Sequence, residues 1–136
     1  MGAKRLLKPI RAYWPEGSFI GGRLTIGASG AVTSWKGYGV ESVTKESTNG
    51  KYTFVLEDPH AHLVGASVMQ VASSAADITV QILSEDPDNT TKASRTVVIQ
   101  CKAAAVATNP ADGSVLLVRF DFADSKGLGY GPERVS

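Results

Sequence analysis

Two histidines and an aspartate lie close together in the segment Asp58-Pro-His60-Ala-His62. Alternate residues of a β-strand share one face, so the two imidazoles and the carboxylate could reach a single metal ion. However, Pro59 interrupts the strand that this geometry needs. The chain also contains only 2 histidines, so it cannot supply a three-histidine site. We therefore predict a polar turn with exposed histidines here, and no metal site.

A second group of metal-binding residue types is Asp86, Asp88 and Asn89, which place three oxygen ligands in one polar segment. An EF-hand calcium loop also needs a central glycine and a distal glutamate at set positions, and both are missing here. We therefore predict a solvated loop between two strands and no bound cation.

The single cysteine, Cys101, alternates with Val97 and Ile99 on the apolar side of a predicted strand. Such a cysteine is typical of a small buried hydrophobic residue, whereas a catalytic thiolate needs an accessible and positively charged environment. One cysteine also excludes an internal disulfide and a multi-thiolate zinc site. We predict that Cys101 is buried and unreactive.

The remaining motifs for catalysis are incomplete. Residues 27–30 (Gly-Ala-Ser-Gly) lack the final glycine of a nucleophile elbow, and residues 127–131 (Gly-Leu-Gly-Tyr-Gly) do not open a predicted helix as a dinucleotide-binding loop would. A carboxylate pair for glycoside hydrolysis stays open as an alternative, although most of the 13 acidic residues fall in turns or on solvent-facing strand positions. We expect no enzymatic activity, no catalytic residues and no cofactor.

Length and composition indicate one globular domain. The chain has 136 residues, of which 43% are hydrophobic and 20% charged, with a formal net charge of +1. No apolar stretch reaches the roughly 18 residues of a membrane helix, and the N-terminus lacks the pattern of a secretory signal. Near-neutral charge argues against a dedicated nucleic-acid binder. We therefore expect neither a membrane nor a nucleic-acid role.

Charge is unevenly distributed along the chain. The first fifteen residues carry +4 and no acid, and the remaining 10 basic and 13 acidic residues give −3. We predict an extended basic arm over residues 1–17, with two amphipathic aromatic residues near its end as surface anchors. Three interpretations are open: a solvated terminus, an arm that docks on an acidic neighbouring subunit, and a weak phosphate contact. The interface residues of the docking hypothesis are Lys4, Arg5, Lys8, Arg11, Tyr13 and Trp14.

From residue 18 onward the dominant hydrophobic period is two, which is typical of half-buried strands. Strong strands are predicted at residues 51–57, 77–84, 95–101 and 113–122, and weaker ones at 18–26, 31–35, 38–46 and 63–72. Ser29-Gly30 and Asn49-Gly50 are predicted hairpin turns, the second of type I′. Residues 60–64 are a candidate helical turn, and residues 102–107 a strand end or short helix.

These elements predict an all-β domain over residues 18–125, followed by a flexible tail at 126–136. The regular spacing of turns favours a single-domain antiparallel β-sandwich or barrel of jelly-roll-like type. Phe54, Leu56 and five further residues on the apolar strand faces are predicted to be buried: Ile82, Ile99, Leu116, Val118 and Phe120.

Residues 22–34 (GRLTIGASGAVTS) and 40–56 (VESVTKESTNGKYTFVL) resemble the strand–turn–strand segments of small virion structural proteins of tailed bacteriophages. Residues 77–83 (DITVQIL) and 109–125 (NPADGSVLLVRFDFADS) are similar to later segments of the same proteins, so the resemblance covers about residues 20–125. The family includes capsid decoration, or cement, proteins. The shared motifs are structural ones, and the basic arm lies outside them.

The resemblance implies a structural protein on the outer surface of an assembled phage capsid, made in the host cytoplasm, that stabilises contacts between capsomers. The expected partners are the major capsid protein and further copies of the chain, as a trimer or dimer. A tail, baseplate or head-fibre component is the nearest alternative. From another class, a carbohydrate-binding β-sandwich module is also open, with Tyr13, Trp14, Trp35 and Tyr38 as candidate platform residues.

Overall fold

The computed structural model describes residues 17–74 and 77–123 of the chain. This part folds into strands joined by short turns, and none of its residues is α-helical. It therefore contains no helix long and apolar enough to cross a membrane. Residues 1–16 of the predicted arm, with all six candidate interface residues, and the predicted tail lie outside the described residues, while Gly17 already belongs to β1. The strands are β1 (Gly17–Ile26), β2 (Val32–Tyr38), β3 (Val40–Lys45), β4 (Lys51–Leu56), β5 (His62–Val71), β6 (Thr79–Glu85), β7 (Thr96–Ala103), β8 (Val106–Ala107) and β9 (Val115–Ala123).

The strands form two antiparallel sheets that pack together, which confirms the predicted all-β sandwich. Sheet A has the order β2-β1-β9-β5, so that the first and last strands pair along their whole length, from Gly17 opposite Ala123 to Thr25 opposite Val115. Sheet B has the order β3-β4-β7-β6, with β8 also pairing with β7. The predicted pairing across the polar 85–94 segment is confirmed, since β6 and β7 are antiparallel neighbours.

The core lies between the sheets and is built by strict alternation along the central strands. Tyr52, Phe54 and Leu56 of β4 are fully buried, while the residues between them are only partly covered. Three aromatic rings form an edge-to-face series across the core, with Phe54 contacting Trp35 at 5.6 Å and Phe120 at 5.3 Å between ring centroids. Edge-to-face packing of this kind adds stability beyond the buried area.

Six of the seven predicted core residues are buried, and Ile82 is the exception. Ile82 points toward the core but is only half-buried, because β6 is the edge strand of sheet B and no further strand covers it. Alternation along a strand predicts which way a side chain points. It does not reveal whether the strand is central or at an edge.

Three predicted local features differ in the structure. Residues 60–64 hold no helical turn; they lead directly into β5. Residues 102–107 do contain the predicted strand end, at Ala103 of β7, but the chain then turns back into β8 through a tight hairpin with Ala104 and Ala105 both at positive φ. At the predicted Asn49-Gly50 type I′ turn, only Gly50 has a positive φ, because this glycine lies in a longer loop and donates its N–H to Asn109 Oδ1. The Ser29-Gly30 turn has both residues at positive φ, as a primed hairpin turn requires.

Candidate interaction surface

The predicted metal-binding segment is a turn in which His60 packs against the core. The His60 imidazole stacks on the Phe122 ring, with centroids 4.4 Å apart and an interplanar angle of 12°. Its Nδ1 lies 3.4 Å from Ser18 Oγ. The prediction of two exposed histidines is therefore wrong for His60, which is half-buried, and correct for His62. Within residues 17–74 and 77–123, no three His, Cys, Asp or Glu side chains are grouped as they would be around a metal ion.

The polar atoms of the 86–95 loop are used largely to hold the loop itself. Asn89 Nδ2 donates to Asp86 Oδ2 at 2.9 Å, and Asn89 Oδ1 accepts the Thr91 N–H at 2.8 Å. The buried Arg95 side chain donates from Nε to the Asn89 carbonyl at 3.0 Å and from Nη1 to the Glu57 carbonyl at 2.7 Å. Arg95 thus ties the loop to the end of β4.

Cys101 is fully buried, as predicted. Burial raises the pKa of its thiol to about 11, because the thiolate would lose its hydration in the core. Burial also raises the pKa of Tyr52, and the nearby Cys101 adds a smaller contribution in the same direction. Both groups are therefore protonated and inert at neutral pH.

The outer face of sheet A differs from these sites because it exposes large apolar side chains. Arg23 of β1 lies opposite Lys36 of β2 on one side and opposite Leu117 of β9 on the other. Leu117 in turn lies opposite Met69 of β5. Seven large hydrophobic residues of the described chain are more than 40% exposed, and four of them lie on this face: Phe19, Tyr38, Met69 and Val71. Since scattered single exposures are normal but clusters are not, this concentration indicates a contact surface.

A shallow groove of about 380 Å³ crosses this face. Phe19 and Tyr38 form one wall, with ring centroids 6.5 Å apart and an interplanar angle of 67°. The Arg119 guanidinium carbon lies 4.3 Å from the Phe19 ring centroid, and Arg119 Nε lies 2.9 Å from Asp121 Oδ1. Met69 and Leu117 line the opposite side. We call this surface the sheet A face. It is defined by Phe19, Gly21, Arg23, Lys36, Tyr38, Ser67, Met69, Leu117 and Arg119.

The outer face of sheet B has a different character. Its exposed positions carry short polar side chains such as Ser42 and Thr44 on β3 and Gln81 on β6. On this face Lys51 and Lys102 are only partly exposed and Val55 and Val98 are half-buried, while Leu83 of β6 is 44% exposed. The two sides of the sandwich are therefore chemically distinct.

The sandwich is open along the side where the edge strands β5 and β6 lie next to each other. A cleft of about 340 Å³ runs between them, lined by Val68 of β5 and by Ile78, Val80 and Ile82 on the other side. These residues pack against the core but remain partly exposed. Unpaired strand edges of this kind are templates for contact with another chain.

The chain enters the sandwich at Gly17, which pairs with Ala123 at the end of β9. Acidic residues are concentrated at this same end. Glu57 and Asp58 follow β4, Glu85 is the last residue of β6, and Asp86 comes next. Glu85 Oε1 accepts the Leu63 N–H at 3.2 Å. The basic segment that precedes residue 17 is thus attached beside an acidic end of the domain.

The sheet A face was not predicted from the sequence, apart from Tyr38. A signal was present in β9, where Val115 and Leu117 are apolar on the side opposite Leu116 and Val118. A strand that is apolar on both sides is either covered on both faces or exposes an apolar surface. Of the candidate platform aromatics within the described residues, Trp35 points into the core and Tyr38 points outward, so they do not share a face.

Comparison of the chain with protein-family models, with curated proteins and with solved structures finds no match.

Proposed function

We propose that the protein is a capsid decoration protein of a tailed bacteriophage, which binds the outer surface of the assembled shell and stabilises the contacts between capsomers. The observation that carries this proposal is the sheet A face, where three of the seven exposed large hydrophobic residues of the described chain, Phe19, Tyr38 and Met69, line one groove. A surface of this kind favours binding to another protein. The resemblance of residues 20–125 to phage virion proteins supplies the class of that partner.

The arm supports the same proposal through charge. Residues 1–15 carry +4, and the chain joins the sandwich beside the acidic end formed by Glu57, Asp58, Glu85 and Asp86. The arm of one copy and the acidic end of a neighbour therefore have opposite charge, which favours association and fixes its geometry. In a symmetric shell, each such modest contact is repeated in every copy, so weak interfaces add up to strong retention.

The carbohydrate-binding alternative receives less support from the surface. Phe19 and Tyr38 are exposed, but their rings meet at 67° and so do not form one flat platform for a sugar ring. Trp35 packs against Phe54. A tail, baseplate or head-fibre protein would use the same exposed surfaces. The two roles differ in the part of the particle that the protein binds, which is the shell for a decoration protein.

The test is sedimentation of the purified protein with capsids assembled from the major capsid protein of the phage that encodes it. Stoichiometric co-sedimentation with assembled shells, and not with unassembled capsid protein or with tails, is the expected result. Absence of binding to shells would overturn the proposal. Binding to tails instead would assign the protein to the alternative virion role.

The contribution of the arm is tested in the same assay with a chain that lacks residues 1–15. The β-domain should stay folded, and shell occupancy should fall. In a second variant, Lys4, Arg5, Lys8 and Arg11 are all replaced by glutamine. Its binding should depend less on salt than that of the natural chain, because exposed charges are screened over about 8 Å at physiological ionic strength. Unchanged occupancy after the deletion would exclude a docking role for the arm.

A further inference from the structure

We propose that the sheet A face is the side of the sandwich that docks on the partner, and that the partner surface presents an apolar side chain flanked by carboxylates. This inference rests on the proposed function, in which the partner is the outer surface of the capsid protein. It adds the orientation of the domain on the shell and the chemistry of the contact.

The groove favours an apolar side chain on the partner. Phe19, Tyr38 and Met69 are 50%, 56% and 65% exposed around it, so a side chain that entered the groove would cover three large apolar groups at once. The floor includes Gly21, where any side chain would run into the Val118 carbonyl of the neighbouring strand. The groove is therefore a consequence of close strand packing, and it lets a partner side chain approach the backbone of the sheet. Buried aromatic and aliphatic anchors of this kind dominate the energetics of interfaces.

The basic residues around the groove favour carboxylates on the partner. Arg23, Lys36 and Arg119 face outward on three adjacent strands, and the facing acid is Asp121, which already contacts Arg119. Within the described part of the chain, neither Arg23 nor Lys36 makes an ion pair. An interface that buried these cations without carboxylate partners would lose binding free energy, because the cations would be desolvated and unpaired. The surface that covers them must therefore supply carboxylates.

Charge also argues against a second copy of the chain as the occupant. Two copies packed through the same face would bring the cations Arg23, Lys36 and Arg119 of each into one interface, with Asp121 as the facing acid on either side. Like charges in one interface oppose association. On the outer face of sheet B, Leu83 is 44% exposed, less than Phe19, Tyr38 or Met69, and Ser42, Thr44 and Gln81 carry short polar side chains. We therefore expect that face to remain in solvent.

The test uses single cysteines placed on the two faces. Ser67→Cys lies beside the groove, and Thr44→Cys lies on the exposed outer face of sheet B. The natural Cys101 is fully buried, so only the introduced thiol should react with a maleimide. On assembled capsids, labelling of Ser67→Cys should slow at least about tenfold relative to the free protein, and labelling of Thr44→Cys should not change.

A matched pair of charge reversals tests the chemistry of the contact. Arg23→Glu with Lys36→Glu should weaken capsid binding at least about tenfold. Lys51→Glu with Lys102→Glu, an equal charge change on the outer face of sheet B, should leave binding unchanged. Thermal unfolding of both double variants checks that each is folded.

The possible failures are distinguishable. If the natural chain does not bind capsids, the proposed function is wrong and the face assignment falls with it. If it binds but protects Thr44→Cys and leaves Ser67→Cys reactive, the face assignment alone is wrong. Protection of Ser67→Cys that rises with protein concentration in the absence of capsids would show that the face pairs two copies, and would overturn the assignment to a partner.

Discussion

Tyr52 Oη donates a buried hydrogen bond of 2.6 Å to the carbonyl of Gly30. Tyr52 lies on β4 of sheet B, whereas Gly30 lies in the turn between β1 and β2 of sheet A. The bond therefore joins the two sheets through the core at the end of the sandwich opposite Gly17. It also satisfies the only polar atom of an otherwise apolar buried side chain.

Removal of this bond should be costly. Tyr52→Phe keeps the ring but leaves the Gly30 carbonyl without its donor, so the free energy of unfolding should fall by about 1–3 kcal/mol. Tyr38→Phe is the matched control, because Tyr38 is 56% exposed and its change should stay within about 0.5 kcal/mol. Urea denaturation of the three proteins measures both effects. Equal stability of Tyr52→Phe and the natural chain would show that the bond contributes nothing.

The aromatic core should be far more sensitive than the aromatic surface. Phe120 is fully buried and its ring centroid lies 5.3 Å from that of Phe54. Phe120→Ala should therefore lower the free energy of unfolding by about 3–5 kcal/mol. Phe19→Ala, on the sheet A face, should cost under about 1 kcal/mol in the isolated protein. A loss below about 1 kcal/mol for Phe120→Ala, measured by denaturant titration, would contradict the described packing.

The β7–β8 turn should be open to stabilisation. Ala104 and Ala105 have φ values of 51° and 66°, a left-handed conformation that alanine adopts at a cost. Type I′ turns favour Asn-Gly, so Ala104→Asn with Ala105→Gly should raise the free energy of unfolding by about 1 kcal/mol. Ala31→Gly is the control: Ala31 has a φ of −62°, so glycine there should lower stability slightly. A lower melting temperature for the double variant would be evidence against a strained turn.

Stability should decrease at alkaline pH because of Cys101. The thiol ionises near its ordinary pKa of 9.0 in the unfolded chain and at about 11 in the folded protein. Below pH 9 the thiol is protonated in both states, so its contribution is fully present. Between pH 9 and 11 only the unfolded state releases the proton, and the free energy of unfolding should fall by about 2–3 kcal/mol.

The control for this pH dependence is Cys101→Ala, which removes the titrating thiol from both states. The difference in unfolding free energy between the natural chain and this variant should shrink steadily from pH 9 to pH 11. A constant difference across that range would show that the thiol does not resist ionisation in the core. Tyr52, whose pKa burial also raises, is present in both proteins, so its desolvation cancels in the difference and only the smaller contribution from Cys101 does not.

Local pattern was sufficient to predict the strands and much of the core. Alternation in residues 51–57 placed Tyr52, Phe54 and Leu56 on one side, and all three are fully buried. The pairing of β1 with β9 was not predictable, because it joins strands almost a hundred residues apart without a local signal. The half-buried position of Ile82 follows from that long-range order, since order decides which strands are edges.

The sheet A face was less predictable than the fold. Phe19, Arg23, Leu117 and Met69 come from three strands that are distant in the sequence and meet only through the register of sheet A. The candidate interface residues chosen from the sequence all belong to the arm, because a run of like charge is visible without any knowledge of the fold. Apolar exposure becomes visible only once it is known which strands are covered.

The claim that the protein stabilises an assembled shell is tested by measuring release of the genome as a function of temperature. Particles with and without the protein are heated, and exposed DNA is followed with a dye. A ligand that binds only the assembled state stabilises that state by mass action, so particles carrying the protein should release DNA at a higher temperature. Superimposed release curves for the two kinds of particle would contradict the claim.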